Sequence, residues 1–598
     1  MNAFAAHREE QIRQAEELLF SGPQEIGFAK GLFLGRFVAD AILPYPQVPE
    51  AQRAEVDAAV AEVRRFVDER LDPAAIDREA DIPRSIIDDL ARLGVLGMAA
   101  PRQYGGRGFG QLGYCRVLEV IGSACASTSV FVNAHHSIGL RALVIFGSDE
   151  QKRAWLPAMV RGEKLAAFAL TEPEAGSDAA NVQTRAVPSA DGQYFTLNGD
   201  KRYITNGAIA QVLTVMARTP VAGNDQSKIT AFLVTPDMRG FEIVEPRMPK
   251  LGIRGTTTAR LAFHDMRVPR ANVLGALGQG LKIALTVLDF GRTTFGATCA
   301  GAAKTCLRLA ARHAGRRRQF GQALGEFELV KKKLARMAAW SYAMEAMTTV
   351  TAGLIDSARE DYMLETAMLK VYCTEALWAI VNDAFQIYGG RAYFTDEPLE
   401  RMLRDARINQ IGEGANEVLT GFIALVGLRT PAETLKTIYD ARSAPLHALP
   451  LASRYLFSRA QHRLAAPAIP LRHPALHAEG RRLGRLVQRF ESELQGAMLR
   501  HREAILEREY VQERIAIAAL ELFAMSAVLS RLEAELPSGA RDLAATHPPA
   551  SLLLRLAARR VDRALDALHH NDDAAVTAAA DWALRQASGA AATEAASR

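Results

Sequence analysis

Cysteine is scarce in this sequence: five residues in 598 (Cys115, Cys125, Cys299, Cys306, Cys373), with no CxxC spacing. That excludes a disulfide scaffold or a thiolate metal site and predicts buried thiols in a reducing compartment. Charge of one sign is lacking too. Lys and Arg number 72 against 67 Asp and Glu, a net +5 that gives no push toward nucleic acid. No stretch approaches the roughly 20 uninterrupted apolar residues of a membrane span. Arg8, Glu9 and Glu10 have no long apolar run behind them, so the N-terminus does not read as a signal peptide. An alanine- and arginine-rich chain beginning at Met1 leans toward a bacterial cytoplasmic protein.

What is present is an ordinary globular composition, 49% hydrophobic and 23% charged, in a chain too long for one core. The hydrophobic period changes twice along it. From about 50 to 163 the spacing is helical, as in "SIIDDLARLGVLGM" and "GYCRVLEVIGSACAS". Then "QYFTLNGDKRYITN", "VLTVMART", "ITAFLVTP" and "TARLAFHDMRVP" read as antiparallel strands broken by Gly, Asn, Asp and Pro. Helical spacing returns near 276 and runs to about 428 through "GRTTFGATCAGAAKTCLRLAARHA" and "MLETAMLKVYCTEALWAIVNDAFQIYG". Prolines punctuate 429–474, and Leu483, Val487, Phe490, Leu494 and Met498 then form one helical stripe in the segment 475–598. Helix, strand, helix is an α+β order and not the βαβ alternation of a parallel nucleotide-binding sheet.

Three segments carry more than structure requires. "FALTEPEAGSD" (168–178) joins the first helical part to the strands, with small residues that let backbone approach a ligand; as a loop alone it also reads as an acidic surface turn. "HAGRRRQFGQ" (313–322) is a basic cluster able to fork a phosphate, or a solvated helix end. "INQIGEGANEVL" (408–419) sets one carboxylate, Glu413, between Gly412 and Gly414, ahead of a helix whose N-terminus favours negative charge. His135 and His136 are adjacent, a spacing poor for metal ligation on a helix, and His569 and His570 read as a solvated helix end. No metal site is expected.

Taken in order, "LTEPEAGSD", "NGDKRYITNG", "RRQFGQ", "FQIYGGRAYF" and "RDARINQIGEGANEVL" closely resemble the acyl-CoA dehydrogenase family. "GFAKGLFLGRFVADAILPYP", "NAHHSIGL" and the long helical tail are similar to its very-long-chain branch. The resemblance implies an α+β fold: an N-terminal helical domain (50–163) behind an extension (1–49), a central antiparallel β-barrel domain (164–275) and a helical bundle (276–428). After a linker (429–474) comes an extra C-terminal helical domain (475–598). It implies FAD as cofactor and oxidation of an acyl-CoA to a trans-2-enoyl-CoA in fatty-acid β-oxidation, with electrons passed to an electron-transfer flavoprotein.

Residue by residue, Glu413 matches the general base that removes the α-proton while the β-hydrogen leaves as hydride. Its own N–H, freed by Gly414 beside it, would meet the thioester oxygen. A second family location for the base matches Gly291, which has no side chain. Phe168, Thr171, Tyr203 and Thr205 match flavin contacts, Tyr203 standing where the family more often has Trp. Arg317 and Gln319, with Gln386, Gly389 and Gly390, match FAD contacts made across a homodimer or higher homo-oligomer; Ala415, Asn416 and Glu417 match the segment along the FAD. Ser177, Asp289 and Arg292 match acyl-CoA contacts.

Two departures stand out. The family reads aromatic-Glu-Gly-Thr at the base, whereas this chain has Gly412 and Ala415 around Glu413-Gly414, which predicts a roomier acyl pocket. Ser129 and Asn133 lie on the helix matching the acyl-tunnel floor, so acyl length stays open. "SRYLFSRAQHRLAAPAIPLR" offers Arg454, Arg459 and Arg463 to anionic headgroups at the inner membrane face, or packs as a linker; both readings stand. Two rival functions also stand: an acyl-CoA oxidase reoxidised by O₂, and a non-enzymatic assembly partner of a respiratory complex.

Overall fold

The computed structural model describes residues 26–221, 227–357, 359–440 and 465–596. The first helical layer contains α2 (Glu50–Arg70), α3 (Arg84–Arg92), α4 (Gln111–Gly122), α5 (Ala126–Val132) and α6 (Asp149–Val160), preceded by a short α1 (Phe28–Phe33). Between α5 and Arg141 the helix widens into a π-helical stretch over Asn133–Leu140, the "NAHHSIGL" segment. Such bulges push side chains off the helical register and occur often at functional sites. His135 and His136 are buried there as neutral packing groups. Their ring nitrogens accept the N–H of Ala166 and Ala99 (both 2.9 Å), and His136 stacks on Tyr114 with centroids 4.4 Å apart. Burial holds the His135 imidazole down to about 4.

All four predicted strands form: β3 (Tyr194–Thr205), β4 (Val212–Thr219), β5 (Lys228–Val234) and β7 (Thr258–Pro269). Four shorter ones join them: β1 (Ala166–Ala169), β2 (Arg185–Pro188), β6 (Phe241–Glu245) and β8 (Val273–Leu274). The expectation of a purely antiparallel barrel needs correction. The eight strands make one sheet of order β6-β7-β3-β2-β4-β5-β8, and β1 and β2 both run parallel to β4. Sequence alternation marks a half-buried strand but does not reveal its direction, and β1 and β2 are four residues each, too short to show a period.

The bundle comprises α7 (Gly280–Arg316), α8 (Glu328–Asp356), α9 (Met363–Tyr388), α10 (Pro398–Arg407) and α11 (Asn416–Asp440), with a small hairpin of β9 (Arg318–Gln319) and β10 (Gln322–Ala323) after α7. The tail forms α12 (His477–His501), α13 (Glu509–Glu535), α14 (Pro548–Asp566) and α15 (Asp573–Ala596). All five stripe residues from Leu483 to Met498 are buried, and α12–α14 share one hydrophobic core with the bundle. Segment 27–33 locks the two together. Phe33 meets Phe490 edge-on at 5.1 Å, while Gly27 and Ala29 donate backbone N–H to Asp361 and Glu365 on the other side.

Two stretches, Ala126–Phe146 and Glu509–Glu535, have the length and apolar composition of a membrane span despite the expectation of none, yet both are largely buried inside the protein. Residues 441–464, which hold Arg454, Arg459 and Arg463, lie outside the described residues.

Candidate active site

Glu413 sits where α10, extended by a short turn over Ile408–Gln410, gives way to α11. Its φ is +58° and that of Gly414 is +96°. A left-handed non-glycine residue costs about 1–2 kcal/mol and persists only where its surroundings hold it. Two buried cations do so. Lys370 of α9 donates to Gly414 O (2.7 Å) and Asn416 Oδ1 (2.8 Å), and Arg292 of α7 reaches Glu413 O at 3.4 Å. The turn thus swings the carboxyl out of both helices and into the interior.

The residue as a whole keeps some surface, but its carboxyl is enclosed. Oε1 accepts from Asn133 Nδ2 at 2.7 Å, while Oε2 is buried without a partner. A carboxylate so enclosed loses water, and burial pushes its pKa up to about 7 against the opposing pull of Arg292, Lys370 and the Asn133 hydrogen bond. A carboxyl poised near neutrality is suited to accept a proton in working pH. Gly291 of α7 lies directly opposite: a Cβ there would stand 2.9 Å from Oε2.

Asp289 and Arg292 occupy the same wall. Both are buried, Arg292 Nη1 lies 3.3 Å from Asp289 Oδ1, and Thr366 donates to that same oxygen at 2.7 Å. Arg292 therefore bridges Asp289 to the Glu413 backbone. Asn416 is buried as well, its amide donating to Glu375 Oε1 (2.6 Å) and Thr374 Oγ1 (3.0 Å); its neighbours differ, Ala415 being half-buried and Glu417 exposed.

A second group gathers around β1 and β3. Half-buried Phe168 sits on β1, and the carbonyl of Thr171 just beyond it accepts the N–H of Arg202 at 2.9 Å. The register between β3 and β7 slips between Lys201 and Ile204, and in that bulge Tyr203 takes φ +62° and turns its ring outward, 58% exposed. Thr205 follows on the same strand. Glu172, read as an acidic turn residue, is a buried anchor instead: it pairs with Lys201 at 2.6 Å, the two side chains being 3% and 0% exposed, and accepts N–H groups from Gln183 and Thr184. This fixes the loop from below, leaving Ser177 exposed and Gly176 with open space around it.

A third group, Arg317, Gln319, Gln386, Gly389 and Gly390, is exposed where α7 and α9 end. His313 stacks on Tyr388 at 4.2 Å and joins the two helix ends. Among the described residues no hydrogen bond links this group to Glu413. His569, at the far end, is engaged by Glu493 (2.6 Å) and Arg500 (2.9 Å). Among the described residues no cluster of three His, Cys, Asp or Glu could hold a metal.

The sequence analysis gave Thr294 and Lys370 no role, and placed Asn133 on the acyl-tunnel floor without foreseeing its bond to Glu413. Lys370 had a signal, being a lone cation in the apolar helical run "MLETAMLKVYC". The contacts of Asn133 and Thr294 had none, because they span 280 and 161 positions of the chain.

Comparison with known proteins agrees with this arrangement. Residues 53–163, 167–266 and 278–428 match the N-terminal, middle and C-terminal domain families of acyl-CoA dehydrogenases, and 474–588 match the ACAD9/ACADV C-terminal domain family. The chain is 36% identical over 523 residues to the very long-chain specific mitochondrial acyl-CoA dehydrogenase of Homo sapiens, covering 86% of this chain and 79% of that protein. It is 34% identical over 585 residues to a probable acyl-CoA dehydrogenase of Mycobacterium tuberculosis, covering 94% and 89%. An acyl-CoA dehydrogenase complexed with FAD from Bacillus anthracis superposes with a TM-score of 0.76 at 27% identity, covering 90% of this chain and 91% of that one. A buried carboxyl at a helix break, set on three matching segments in the same order and on relatives aligned along most of their length, places this chain in the acyl-CoA dehydrogenase family.

Proposed function

We propose that the protein is an FAD-dependent dehydrogenase that oxidises a fatty acyl-CoA to its trans-2-enoyl-CoA in fatty-acid β-oxidation, with Glu413 as general base. The observation that carries this is the Glu413 carboxyl, buried among Asn133, Gly291, Arg292 and Lys370 with one oxygen free. A thioester α-proton is a weak acid, so the base must be desolvated and aimed. A buried carboxylate without a partner on Oε2 is poorly solvated and gains by taking up a proton.

The residues present fit a flavin. Tyr203 offers an exposed ring beside Thr171, and apart from adjoining backbone no atom lies within 4 Å of where a side chain would begin on Gly176, Gly389 or Gly390, so backbone there is open to a large planar group. Phe168, Thr171, Tyr203, Thr205, Ala415 and Glu417 would hold it from this chain, and Arg317, Gln319, Gln386, Gly389 and Gly390 from a second copy. Bound FAD supplies the two-electron acceptor for the β-hydrogen. The chain's own part is to fix the thioester, with Ser177 and the Asp289–Arg292 pair toward the CoA side, and to take the α-proton on Glu413.

Supporting a homodimer, the third group lies beside exposed aromatics: Phe320 is 94%, Tyr393 78% and Phe394 65% exposed, more apolar surface than one loop cluster normally leaves in water. Electron-transfer flavoprotein as acceptor follows from the family resemblance, a cytoplasmic location from the alanine- and arginine-rich composition, and contact at the inner membrane face from the 453–472 stretch. The test is anaerobic bleaching of bound flavin by straight and branched acyl-CoAs from C4 to C20, in the parent and in Glu413→Gln. A parent that no acyl-CoA bleaches, or a Gln variant that bleaches at the parent rate, would sink the proposal.

A further inference from the structure

Asn133 is 4% exposed, and both ends of its amide are used. Nδ2 donates to Glu413 Oε1 at 2.7 Å, and Oδ1 accepts from the Thr294 hydroxyl at 2.6 Å. Behind Thr294, Ser137 Oγ lies 3.2 Å away and itself donates to the Tyr114 hydroxyl at 3.2 Å. The order of this chain is chemically determined. An ionised carboxylate only accepts, so the NH₂ end of the amide must face it, and the opposite orientation would set two acceptors together. The one proton of the Thr294 hydroxyl has four acceptors in reach, Asn133 Oδ1 at 2.6 Å against Gly291 O at 2.9 Å and Phe290 O and Ser137 Oγ at 3.2 Å; given to Oδ1, the shortest, it selects the productive orientation.

The π-helical stretch explains why a residue from the first helical layer can reach the base at all. Asn133 opens that stretch and Ile138 closes on the same site, its Cγ1 3.2 Å from where a Cβ of Gly291 would stand. One carboxyl oxygen is then tied to the N-terminal layer, and the other faces Gly291, which has no side chain. Buried carboxylate oxygens are rarely left unpaired in folded proteins. Among the described residues Oε2 has no partner, which leaves it the oxygen able to take a proton.

We infer that Asn133 is a positioning residue, oriented by Thr294, that pins Oε1 of Glu413 and thereby makes Oε2 the oxygen that accepts the substrate α-proton. The inference rests on the function proposed above, and it assigns Asn133 more than the tunnel-floor place its position suggests. In the proton transfer the C–H bond breaks toward Oε2, the new O–H bond forms there, and the electron pair stays with the substrate. The donated hydrogen bond to Oε1 favours the ionised base, so removing it raises the pH at which the base becomes active. The other groups acting on the carboxyl are Arg292 and Cys299 on α7 and Lys370 on α9, with Asp289 paired behind Arg292, all retained in the variants below.

The experiment uses the flavin-loaded holoenzyme and four variants: Asn133→Leu, which keeps volume and removes the donor, Thr294→Val, Thr294→Ser and Glu413→Gln. Two readouts are taken: flavin reduction by acyl-CoA against pH, and the carboxyl titration of Glu413 by infrared difference spectroscopy against Glu413→Gln. In Asn133→Leu both midpoints rise by about one pH unit, roughly fivefold in rate at neutrality and roughly tenfold well below it, with KM nearly unchanged. Thr294→Val moves them part of the way and Thr294→Ser behaves as the parent. If Asn133→Leu does not fold, Thr294→Val against Thr294→Ser decides. A folded Asn133→Leu or Thr294→Val with the parent's titration overturns the inference while leaving the function standing. A parent that titrates as expected but is bleached by no acyl-CoA overturns the function, and the proton-accepting role with it.

Discussion

Gly291 and Glu413 share one small space: the missing side chain of the first is occupied by the carboxyl of the second, with Oε2 2.9 Å and Oε1 3.2 Å from the ideal Cβ position. The second location that the family resemblance gives for a base, at Gly291, is therefore not merely without a side chain: the Glu413 carboxyl, the proposed base, fills it from the other side. Gly291→Ala must push the carboxyl aside, at the cost of its bond to Asn133. The expected result is a fall of at least about tenfold in flavin reduction by acyl-CoA, since small displacements of a positioned base are costly. Flavin content and melting temperature stay near the parent's. A Gly291→Ala enzyme reducing its flavin at the parent rate would show that the carboxyl moves away from this wall before reacting.

The pH dependence follows from burial. With the Glu413 carboxyl at about 7 before substrate enters, it is protonated and inactive below that value and ionised above it. Flavin reduction at limiting acyl-CoA accordingly rises with pH through about 7 and levels off on the alkaline side. Stopped-flow traces across pH 5–9 check this. A midpoint near the ordinary 4.5 of a glutamate would mean that the carboxyl is solvated in the working enzyme.

The order of layers, the long helices and four of the strands were legible in the sequence because each has a period that a window of ten or more residues displays. Met363–Tyr388 and the α12 stripe appear where their spacing puts them. The parallel strands β1 and β2 were not legible, being set by pairing with β4 and not by their own residues. Glu413 could be picked out because two glycines flank it; its neighbours could not. Asn133 and Thr294 come from elements far apart in the chain, and Glu172 resembles any acidic turn residue until Lys201 is seen to lie against it. Local pattern reveals elements and breaks, whereas the partners of a buried polar group are a property of the whole fold.

Gly412 tests the acyl pocket. A Cβ placed there meets only the Ile408 carbonyl, at 3.6 Å, so a side chain can begin there without strain. Gly412→Phe restores the aromatic wall common in the family and narrows the space beside the base. Branched and bulky acyl-CoAs lose kcat/KM by about tenfold or more, while straight chains change little, a pocket contact of one to a few methylenes being worth about 1–3 kcal/mol. Equal effects on every substrate would place Gly412 outside the pocket.

Lys370 holds the backbone that carries the base. Replacing it by Met leaves the Gly414 carbonyl and the Asn416 amide oxygen without their buried donor, a loss of about 1–3 kcal/mol. It also removes a positive charge that favours the ionised form of Glu413. Lys370→Met thus melts several degrees lower and shifts the acid limb of flavin reduction to higher pH. Lys370→Arg, keeping the charge, retains the limb even if its larger head strains the turn. A Met variant with lower stability but an unmoved limb would assign Lys370 a purely structural role.

The tail carries its own buried acid, remote from the chemistry. Glu521 on α13 is 3% exposed and pairs with Arg560 of α14 at 2.7 Å, yet burial outweighs that pairing and lifts its pKa to about 7. The folded value lies above the ordinary 4.5, so the fold favours the protonated form. Stability from this group is fully present below pH 4.5, declines as pH rises through 7, and is gone above it. The span corresponds to something on the order of 3 kcal/mol. Glu521→Gln keeps shape and hydrogen bonding without the ionisation, so the parent loses more melting temperature than the variant between pH 5 and pH 8. Flavin reduction by acyl-CoA is the same in both, because Glu521 lies in the tail. Parallel melting curves for the two proteins across that range would show that Arg560 compensates the buried charge fully, and that the tail owes none of its pH sensitivity to this pair.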